Sequence, residues 1–415
     1  MTPSDLRSVQ SADVYKGNRL AGRLSREGSD VVYRYDPTYL DDPAMPAVAW
    51  TLPKSHTEAR ATGESVPPFF AGLLPEGVRL RGVVSGTRTS EDDHFTLLLA
   101  VGQDTIGDVR VVPEGAELIE PEPAFDVDDA ASADLAAIFA RVAGPDSLSF
   151  DAVAIPGVQA KVSAAMVSSP LQTSRGPAIL KLNPDRDYPN LVENEHFFLR
   201  MARDCGLRVP DHTLVHDRHG KAGLVVSRFD RIVEPDGHLT RLAQEDSCQV
   251  MGVYPARKYR LKTEDVIATL SDHCQRGGGS GRVATLELIQ LVAFSYLIGN
   301  GDLHGKNFSI RATPAAGWEV TPTYDLVCTQ PYLGWRDPMA LDLYGRANRL
   351  GHANIVAAAE KLGIPPRATT RMLRYVCTRA ETWLDRLDEI GFDDSQTGRL
   401  RQLIASRLDE LSAPE

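Results

Sequence analysis

The sequence has little cysteine and no long apolar run. The 5 cysteines among its 415 residues are scattered, and no two of them are spaced as C-x-x-C. This pattern excludes a disulfide framework and a clustered zinc site. Apolar stretches stay short of the roughly 18 residues that a membrane helix needs, and the first residues lack the apolar core of a signal peptide. We therefore expect a cytoplasmic protein without a membrane partner.

Basic residues are outnumbered by acidic ones. The sequence has 45 lysines and arginines against 56 aspartates and glutamates, which gives a net charge of −11. A chain of this charge repels a phosphate backbone on average. The basic stretch 257–262 (RKYRLK) is short, and we interpret it as a solvated loop face. The composition therefore gives no support to direct DNA binding.

The length and the local patterns indicate three units. A chain of 415 residues exceeds what one hydrophobic core usually serves. An acidic, proline-rich stretch at about 113–130 separates two β-rich parts, and helical periodicity dominates after about residue 245. We predict an N-terminal β-rich subdomain at 1–115, a second β-rich unit at 116–232 and a helical lobe at 233–415, which together make an α+β fold.

Apolar alternation and capping residues predict the individual elements. Strands are predicted at 31–35, 48–52, 106–112, 159–167, 178–182, 213–215 and 222–229. Helices are predicted at 69–77, 93–101 (capped by Asp93), 131–142, 191–205, 263–273, 284–299, 352–362, 366–390 and 396–411. A hairpin is predicted at 307–322, and the glycine-rich stretch 276–282 is predicted to be a flexible loop without a Walker phosphate pattern.

The stretch 298–310 (IGNGDLHGKNFSI) carries the clearest chemical signal. Asp302 and Asn307 are five positions apart, as are the catalytic Asp and the metal-binding Asn of H-R-D-x-x-x-x-N in protein kinases. A loop between a helix and a strand can aim one side chain at an acceptor hydroxyl and the other at magnesium. Lys306 lies between them and can neutralise charge on the transferring phosphate. The alternative is that these are ordinary turn residues.

A second carboxylate follows the predicted hairpin. Kinases supply it from D-F-G, one hairpin after the catalytic loop. Asp325 in Thr323-Tyr324-Asp325 holds that position here. Magnesium prefers carboxylate and amide oxygens, so Asn307 and Asp325 make a suitable ligand pair.

The second β-rich unit contains candidate nucleotide-binding groups. Lys181 lies in an apolar strand like the kinase lysine that grips the α- and β-phosphates, and Glu195 in the next helix can pair with it. The simpler interpretation is an edge-strand lysine and a solvated helix glutamate. Residues Gly157, Val158, Gln159 and Lys161 form a turn whose amides can cover phosphates, although an ordinary β-turn also fits. Backbone groups at Ser227 and Phe229 are candidates to hold adenine.

Together these segments resemble the HipA family, the serine/threonine kinases of bacterial type II toxin–antitoxin modules. The matching segments follow one another in unbroken order over about residues 65–330; they are 69–77, 97–109, 157–161, Lys181, 194–195, 228–231, 244–249, 300–310 and 324–325. The combination is far more specific than any one of its members.

The resemblance implies a two-lobed protein-kinase-like fold with an extra N-terminal β-subdomain and an all-α C-terminal lobe. It implies ATP and Mg²⁺ as cofactors, Asp302 as base, Asn307 and Asp325 as metal ligands, and Lys181 on the ATP phosphates. His304 in the loop is expected to orient it beside the nucleotide. Family members include kinases of an aminoacyl-tRNA synthetase. A small dimeric antitoxin that binds operator DNA is an implied partner, so that the kinase reaches DNA only indirectly.

Two positions depart from the family pattern. Members often have a serine three residues before the loop glycine, and its autophosphorylation ejects the loop; here the residue is Ala154. Self-inactivation therefore uses another hydroxyl or is absent. Ser227 replaces the acid often found before Arg228, which leaves a backbone role for adenine intact.

Two other functions fit parts of the sequence. A small-molecule phosphotransferase of kinase-like fold, acting on an alcohol or an aminoglycoside, uses the same Asp and Asn chemistry. The N-terminal segments and the QEDxCQ stretch at 244–249 favour the HipA interpretation over it. A non-catalytic co-repressor that only holds an antitoxin needs neither base nor metal ligands, whereas all three are present here.

Overall fold

The N-terminal part is built on an antiparallel sheet. The computed structural model describes residues 3–63, 65–120, 123–138, 167–183 and 188–412. The elements of this part are β1 (Ser11–Lys16), β2 (Arg19–Glu27), β3 (Asp30–Tyr35), α1 (Pro37–Asp41), β4 (Glu58–Ala61), α2 (Pro68–Gly72), α3 (Gly77–Thr87), α4 (His94–Val101) and β5 (Val109–Pro113). The strand order is β4-β3-β2-β1-β5. Apolar residues of the sheet pack against α2 and α4 in a core of their own.

A second sheet carries the predicted nucleotide-binding lysine. It consists of β6 (Pro123–Phe125), β7 (Val167–Thr173), β8 (Gly176–Leu182), β9 (His212–His216) and β10 (Ala222–Ser227), in the order β6-β7-β8-β10-β9. Helix α5 (Leu191–Asp204) follows β8, and its buried face includes Phe197, Phe198 and Met201. This face joins the core of the helical lobe, so α5 connects the second sheet to that lobe.

The remaining chain is mainly helical. Its elements are β11 (Arg231–Val233), β12 (Leu239–Arg241), β13 (Gln244–Asp246), α6 (Ser247–Val250), α7 (Thr263–Arg276), α8 (Gly281–Ile298), β14 (Ser309–Thr313), β15 (Gly317–Val320), α9 (Gln330–Leu333), α10 (His352–Lys361), α11 (Pro366–Glu381) and α12 (Asp394–Leu411). Short 3-10 turns lie at Pro3–Ser8, Ala130–Ser132, Pro255–Arg257, Gly305–Asn307 and Leu384–Ile390. The predicted hairpin is present as β14 and β15, and β13 adds a third strand to it, so the lobe is helical apart from this small sheet.

Most predicted elements that lie in described residues are present. Asp93 caps α4 as predicted, since its side chain accepts from the Thr96 amide at 3.1 Å. The predicted strand at 48–52 is wrong, because these residues form a turn with a single bridge between Ala49 and Leu52. The predicted helix at 366–390 is split, because α11 ends at Glu381 and a 3-10 turn takes over. Of the predicted helix at 131–142, residues 131–138 are described: a 3-10 turn ends at Ser132 and residues 135–138 are helical. The predicted strand at 159–167 lies outside the described residues except for Val167, and the division at 115 and 232 stays a prediction.

The glycine-rich stretch 276–282 is packed rather than free. A Cβ on Gly277 would lie 2.2 Å from the Trp318 ring, and one on Gly279 would lie 1.9 Å from the Trp318 carbonyl oxygen. Such distances are far inside van der Waals contact, so only glycine lets the two segments meet this closely. The prediction of a flexible loop is therefore wrong, and the glycines serve contact with the β14–β15 hairpin.

Helix α8 leads into the predicted catalytic loop. By length and composition its 18 residues are apolar enough to cross a membrane, and 67% of them are buried inside the protein. The central helix of a soluble protein passes the same test. Gly299 then ends the helix with φ +79°, a conformation that glycine adopts without strain.

Candidate active site

Three charged groups meet at the junction of the second sheet and the helical lobe. Lys181 Nζ donates to Glu195 Oε1 at 2.6 Å and to Oε2 at 2.9 Å, and it also bonds to Asp325 Oδ1. We call these three residues the phosphate-side cluster. Lys181 and Glu195 are 6% and 1% exposed. Burial lowers the pKa of Lys181, but Asp325 and Glu195 outweigh burial and hold the pKa above its usual value, so the ammonium stays charged.

The loop after α8 is closed by its own hydrogen bonds. The Asp302 amide donates to Asn300 Oδ1 at 2.9 Å, and Asn307 Nδ2 donates to the Asp302 carbonyl oxygen at 3.1 Å. Asn307 therefore uses its amide nitrogen within the loop, which leaves its oxygen as the group suited to a metal. The Asp302 side chain is buried, and its Oδ1 accepts from the Tyr259 hydroxyl at 2.9 Å.

Asp325 has an uncommon backbone conformation. Its φ of +55° lies in the left-handed region, which residues with a side chain rarely adopt. Such strain is concentrated at functional sites. The preceding Tyr324 donates its hydroxyl to the Lys306 carbonyl oxygen at 2.7 Å, so this segment is joined directly to the loop that contains Asp302 and Asn307.

The contacts of Lys306 come from the N-terminal part. Lys306 Nζ lies 3.3 Å from the Gly72 carbonyl oxygen and 3.5 Å from Glu76 Oε1. Lys258 pairs with Oε2 of the same glutamate. Burial raises the pKa of Glu76, but Lys306 and Lys258 outweigh burial and hold the pKa at about 2. One carboxylate thus pairs with both Lys306 and Lys258.

A cavity of about 310 Å³ connects these groups. Seven of the predicted residues line it: Lys181, Ser227, Phe229, His304, Lys306, Asn307 and Asp325. Asp302 and Glu195 contact members of that lining. Apolar side chains, including those of Ile106, Ile179 and Val226, line the part next to β10. The volume lies at the lower end of the range for small-molecule sites, and an apolar wall beside β10 suits a flat base.

Residues 228–231 join the N-terminal part to the end of β10. We call Arg228, Asp230, Arg231, Arg241 and Asp104 the hinge cluster. Arg228 Nη1 contacts both Asp104 oxygens at 2.8 Å, and Arg231 Nη2 contacts Asp104 Oδ1 at 3.0 Å. Asp230 Oδ2 accepts from the Gly107 amide at 2.8 Å. The charged side chains of this stretch therefore bind the N-terminal part, and the residues from Ser227 to Asp230 line the cavity.

The predicted adenine contacts have one restriction. The Phe229 carbonyl oxygen accepts from Arg311 Nη1 at 2.6 Å, so one of its lone pairs is already used. The Phe229 ring lies 5.7 Å from the Tyr324 ring. The Arg311 guanidinium lies 5.9 Å from the Phe229 ring centroid, so the ring and the carbonyl oxygen of Phe229 both already have protein contacts at the cavity wall.

The residues present fit magnesium and a nucleotide. Magnesium is bound by one or two protein oxygens together with substrate phosphates and water. Asn307 and Asp325 supply an amide and a carboxylate oxygen at one edge of the cavity, with Lys181 beside them. A group of three or more His, Cys, Asp or Glu residues able to hold a metal alone is absent from the described residues, so the phosphates would have to complete the coordination.

Some predictions concern other positions. Gly157, Val158, Gln159, Lys161 and Ala154 lie outside the described residues. His304 lines the cavity, but its buried Nδ1 has no hydrogen-bond partner among the described residues, and burial lowers its pKa to about 4. The side chain therefore packs against the Tyr259 ring at 5.1 Å, and the backbone of His304 makes the bonds that shape the loop.

Sequence reasoning missed the groups that reach the site from distant segments. Glu76, Tyr259, Asp104 and Asp246 all contact or line it. Asp246 caps α6, and burial raises its pKa to about 6. The stretch 257–262 was interpreted as a solvated face, whereas the Lys258 side chain pairs with Glu76 and the Tyr259 hydroxyl donates to Asp302 in the loop. The one aromatic residue in this basic stretch, Tyr259, was the available signal.

Comparison with known proteins gives matches over most of the chain. Residues 12–112 match the family model described as the HipA N-terminal domain, and residues 153–384 match the HipA-like C-terminal domain. The protein Y4mE of Sinorhizobium fredii is 30% identical over 80% of this chain and 81% of its own length. The serine/threonine-protein kinase toxin HipA of Shewanella oneidensis is 27% identical over 88% of this chain and 87% of its own.

A solved structure shares the fold. In the complex of HipA, HipB and operator DNA from Shewanella oneidensis MR-1, the matching chain gives a TM-score of 0.75 at 22% identity, over 96% of this chain and 97% of that one. The predicted α+β, kinase-like fold is thereby confirmed.

Proposed function

The chain belongs to the HipA family of serine/threonine protein kinases, and we propose that it transfers the γ-phosphate of ATP to a serine or threonine hydroxyl of a protein with the help of Mg²⁺. The observation that carries this proposal is the convergence of Lys181, Asn307 and Asp325 on one cavity, with Asp302 bonded to its wall. Phosphoryl transfer depends on positioning and on charge stabilisation, and these groups are suited to both.

Each residue has a role in this proposal. Asp302 takes the proton of the acceptor hydroxyl, Asn307 and Asp325 hold magnesium, and Lys181 holds the phosphates. Lys306 stabilises the charge on the transferred group. The base stacks near Phe229 against the apolar wall beside β10. Asn307 and Asp325 would hold magnesium, which when bound would supply positive charge next to the phosphates and to the two carboxylates around Lys181.

The cellular role follows from the family. We propose that the chain is the toxin of a toxin–antitoxin module in the cytoplasm, that its target is a translation component such as an aminoacyl-tRNA synthetase, and that a small dimeric antitoxin carries it to operator DNA. The structural neighbour was solved with HipB and operator DNA, which supports the antitoxin. The net charge of −11 favours an indirect route to DNA.

The test is transfer of labelled γ-phosphate from ATP to proteins of a bacterial lysate in the presence of magnesium. Asp302→Asn should lower transfer by about 10²–10⁴-fold, because a positioned general base contributes that much. Nucleotide binding should persist, since Asp302 does not line the nucleotide cavity but bonds to it through Asn307.

The matched control is Glu58→Gln, on the sheet of the N-terminal part, which should transfer normally. Label on a small molecule instead of a protein would indicate a small-molecule phosphotransferase. Cellular toxicity that Asp302→Asn leaves unchanged would indicate a non-catalytic antitoxin-binding protein.

A further inference from the structure

Part of the cavity wall belongs to the N-terminal part. Residues 72–76, between α2 and α3, line the cavity. They are held against the helical lobe at α6, because Gln249 Nε2 donates to the Phe69 carbonyl oxygen at 3.1 Å. A Cβ on Gly72 would lie 2.4 Å from Gln249 Cγ, so glycine is needed for this approach. The wall is therefore fixed to the catalytic lobe.

Glu76 in this wall contacts two cations of the catalytic lobe. Its Oε1 lies 3.5 Å from Lys306 Nζ, and its Oε2 pairs with Lys258. Lys306 is also 3.3 Å from the Gly72 carbonyl oxygen. An ammonium has three donors. Two are directed to the N-terminal part, which leaves one for an oxygen in the cavity that Lys306 lines.

The segment that contains Lys258 is bonded to the catalytic loop. The Lys258 carbonyl oxygen accepts from the Gly305 amide at 3.0 Å, so the backbone of this segment is attached to the loop. The next residue, Tyr259, donates its hydroxyl to Asp302 Oδ1 at 2.9 Å. One carboxylate thus touches the lysine inside the loop and the lysine next to the tyrosine that holds Asp302.

We propose that Glu76 is a positioning residue for phosphoryl transfer, supplied by the N-terminal part, which fixes Lys306 and the Lys258–Tyr259 segment in the arrangement that transfer requires. Glu76 makes no contact with the transferred group itself. The inference rests on the proposed kinase function and assigns the N-terminal part a role in catalysis in addition to any role in binding partners.

The experiment compares Glu76→Gln with the full-length wild type. The amide keeps the size of the side chain but removes the charge that holds both lysines. We expect kcat for transfer to lysate protein to fall by about 10–100-fold, because small misplacements of catalytic groups have effects of that size. The affinity for ATP, measured directly by nucleotide binding, should change by less than about threefold, since Lys181 and the apolar wall are untouched.

Three further measurements separate positioning from a loss of folding. Glu76→Asp should recover part of the lost kcat, because it restores the charge. Hydrogen exchange in Glu76→Gln should increase over residues 302–308 and stay unchanged over β1 and β2. In a Lys306→Ala background, Glu76→Gln should add less loss than it causes alone, because residues that act through one another are not additive.

The matched control is Glu58→Gln, which removes a carboxylate that pairs with Arg34 and Arg60 on the sheet surface of the same part. A normal kcat in Glu76→Gln, or full additivity with Lys306→Ala, overturns the inference. If Asp302→Asn is inactive while Glu76→Gln is normal, only this inference fails. If neither the wild type nor any variant transfers phosphate, the proposed function fails with it.

Discussion

Two charge clusters contribute side chains to the wall of the same cavity, and they differ in the sign of their excess charge. In the hinge cluster, the carboxylates of Asp104 and Asp230 face the three arginines of the cluster, and Glu120 beside it pairs with Arg241 and with Arg110. In the phosphate-side cluster, one ammonium faces two carboxylates. The hinge cluster therefore has an excess of positive charge, whereas the phosphate-side cluster has an excess of negative charge.

This difference distinguishes a structural from a functional use of buried charge. Burial alone does not, since Arg228 and Lys181 are both 6% exposed. In the hinge cluster each carboxylate bonds to both Arg228 and Arg231, so the cluster holds its surroundings together. An excess of carboxylate at a cavity requires a cation from outside, and magnesium with a nucleotide would supply it. Two matched Asp→Asn changes test this interpretation.

The largest effect on stability is expected for Asp104→Asn. The change leaves Arg228, Arg231 and Arg241 buried without the carboxylate that they share. Breaking a buried ion pair in this way costs about 3–5 kcal/mol of unfolding free energy. Urea denaturation measures this loss of unfolding free energy. The control Glu58→Gln, which removes exposed ion pairs on the N-terminal sheet, should cost less than about 1 kcal/mol. Equal losses in the two variants would show that the hinge cluster does not hold the parts together.

For Asp325→Asn we expect little change in stability and a large loss of phosphate transfer. This change leaves Lys181 paired with Glu195 one to one, and asparagine tolerates the φ of +55° that the position requires. The unfolding free energy should therefore stay within about 1 kcal/mol of the wild type. Transfer of phosphate should fall by about 10²–10³-fold, because a group that stabilises transition-state charge is lost. If Asp325→Asn instead lost much stability but transferred phosphate normally per folded molecule, the phosphate-side cluster would have a structural and not a functional role.

The two clusters also show how far the sequence could be interpreted. The pairing of Lys181 and Glu195 was predictable, because an apolar strand and the helix after it place them 14 residues apart on neighbouring elements. The loop from Asp302 to Asn307 was also predictable, because its two functional residues are only five positions apart in the sequence. The role of 228–231 was not, because the contacts of Arg228 with Asp104 span 124 residues. Nothing in the local pattern identifies a partner that far away.

The errors in the fold have a similar origin. The apolar stretch 48–52 has the composition of a strand, but its backbone is used elsewhere, since the Val48 amide donates to the Tyr35 hydroxyl and the Trp50 amide donates to Glu245. Strand β13 was missed because its three residues are too few to show an alternation of apolar and polar residues. It forms a strand because it pairs with β14, which lies far away in the sequence. Long periodic helices such as α8 and α12 were predictable, because their burial follows from their own sequence.

Glu245 is a buried carboxyl group that belongs to neither cluster and does not line the cavity. Its Oε1 accepts from the Trp50 amide at 2.9 Å, and its buried Oε2 has no hydrogen-bond partner among the described residues. Burial raises the pKa of Glu245 from its usual value of 4.5 to about 8. The unfolded chain therefore releases this proton near pH 4.5, while the folded protein retains it up to about pH 8. Its stabilising effect is present below pH 4.5 and is lost as the pH rises to 8.

Glu245→Gln keeps the acceptor for the Trp50 amide and cannot ionise. The variant should match the wild type at pH 4.5 and exceed its unfolding free energy by about 2 kcal/mol at pH 8, roughly half of the full linkage because relaxation of the site offsets part of the burial. Urea denaturation at the two pH values measures the difference. Since the Glu245 side chain does not line the cavity, transfer of phosphate should be unaffected. A difference that does not grow with pH would show that Glu245 is already ionised in the fold and that Lys16 is its true partner.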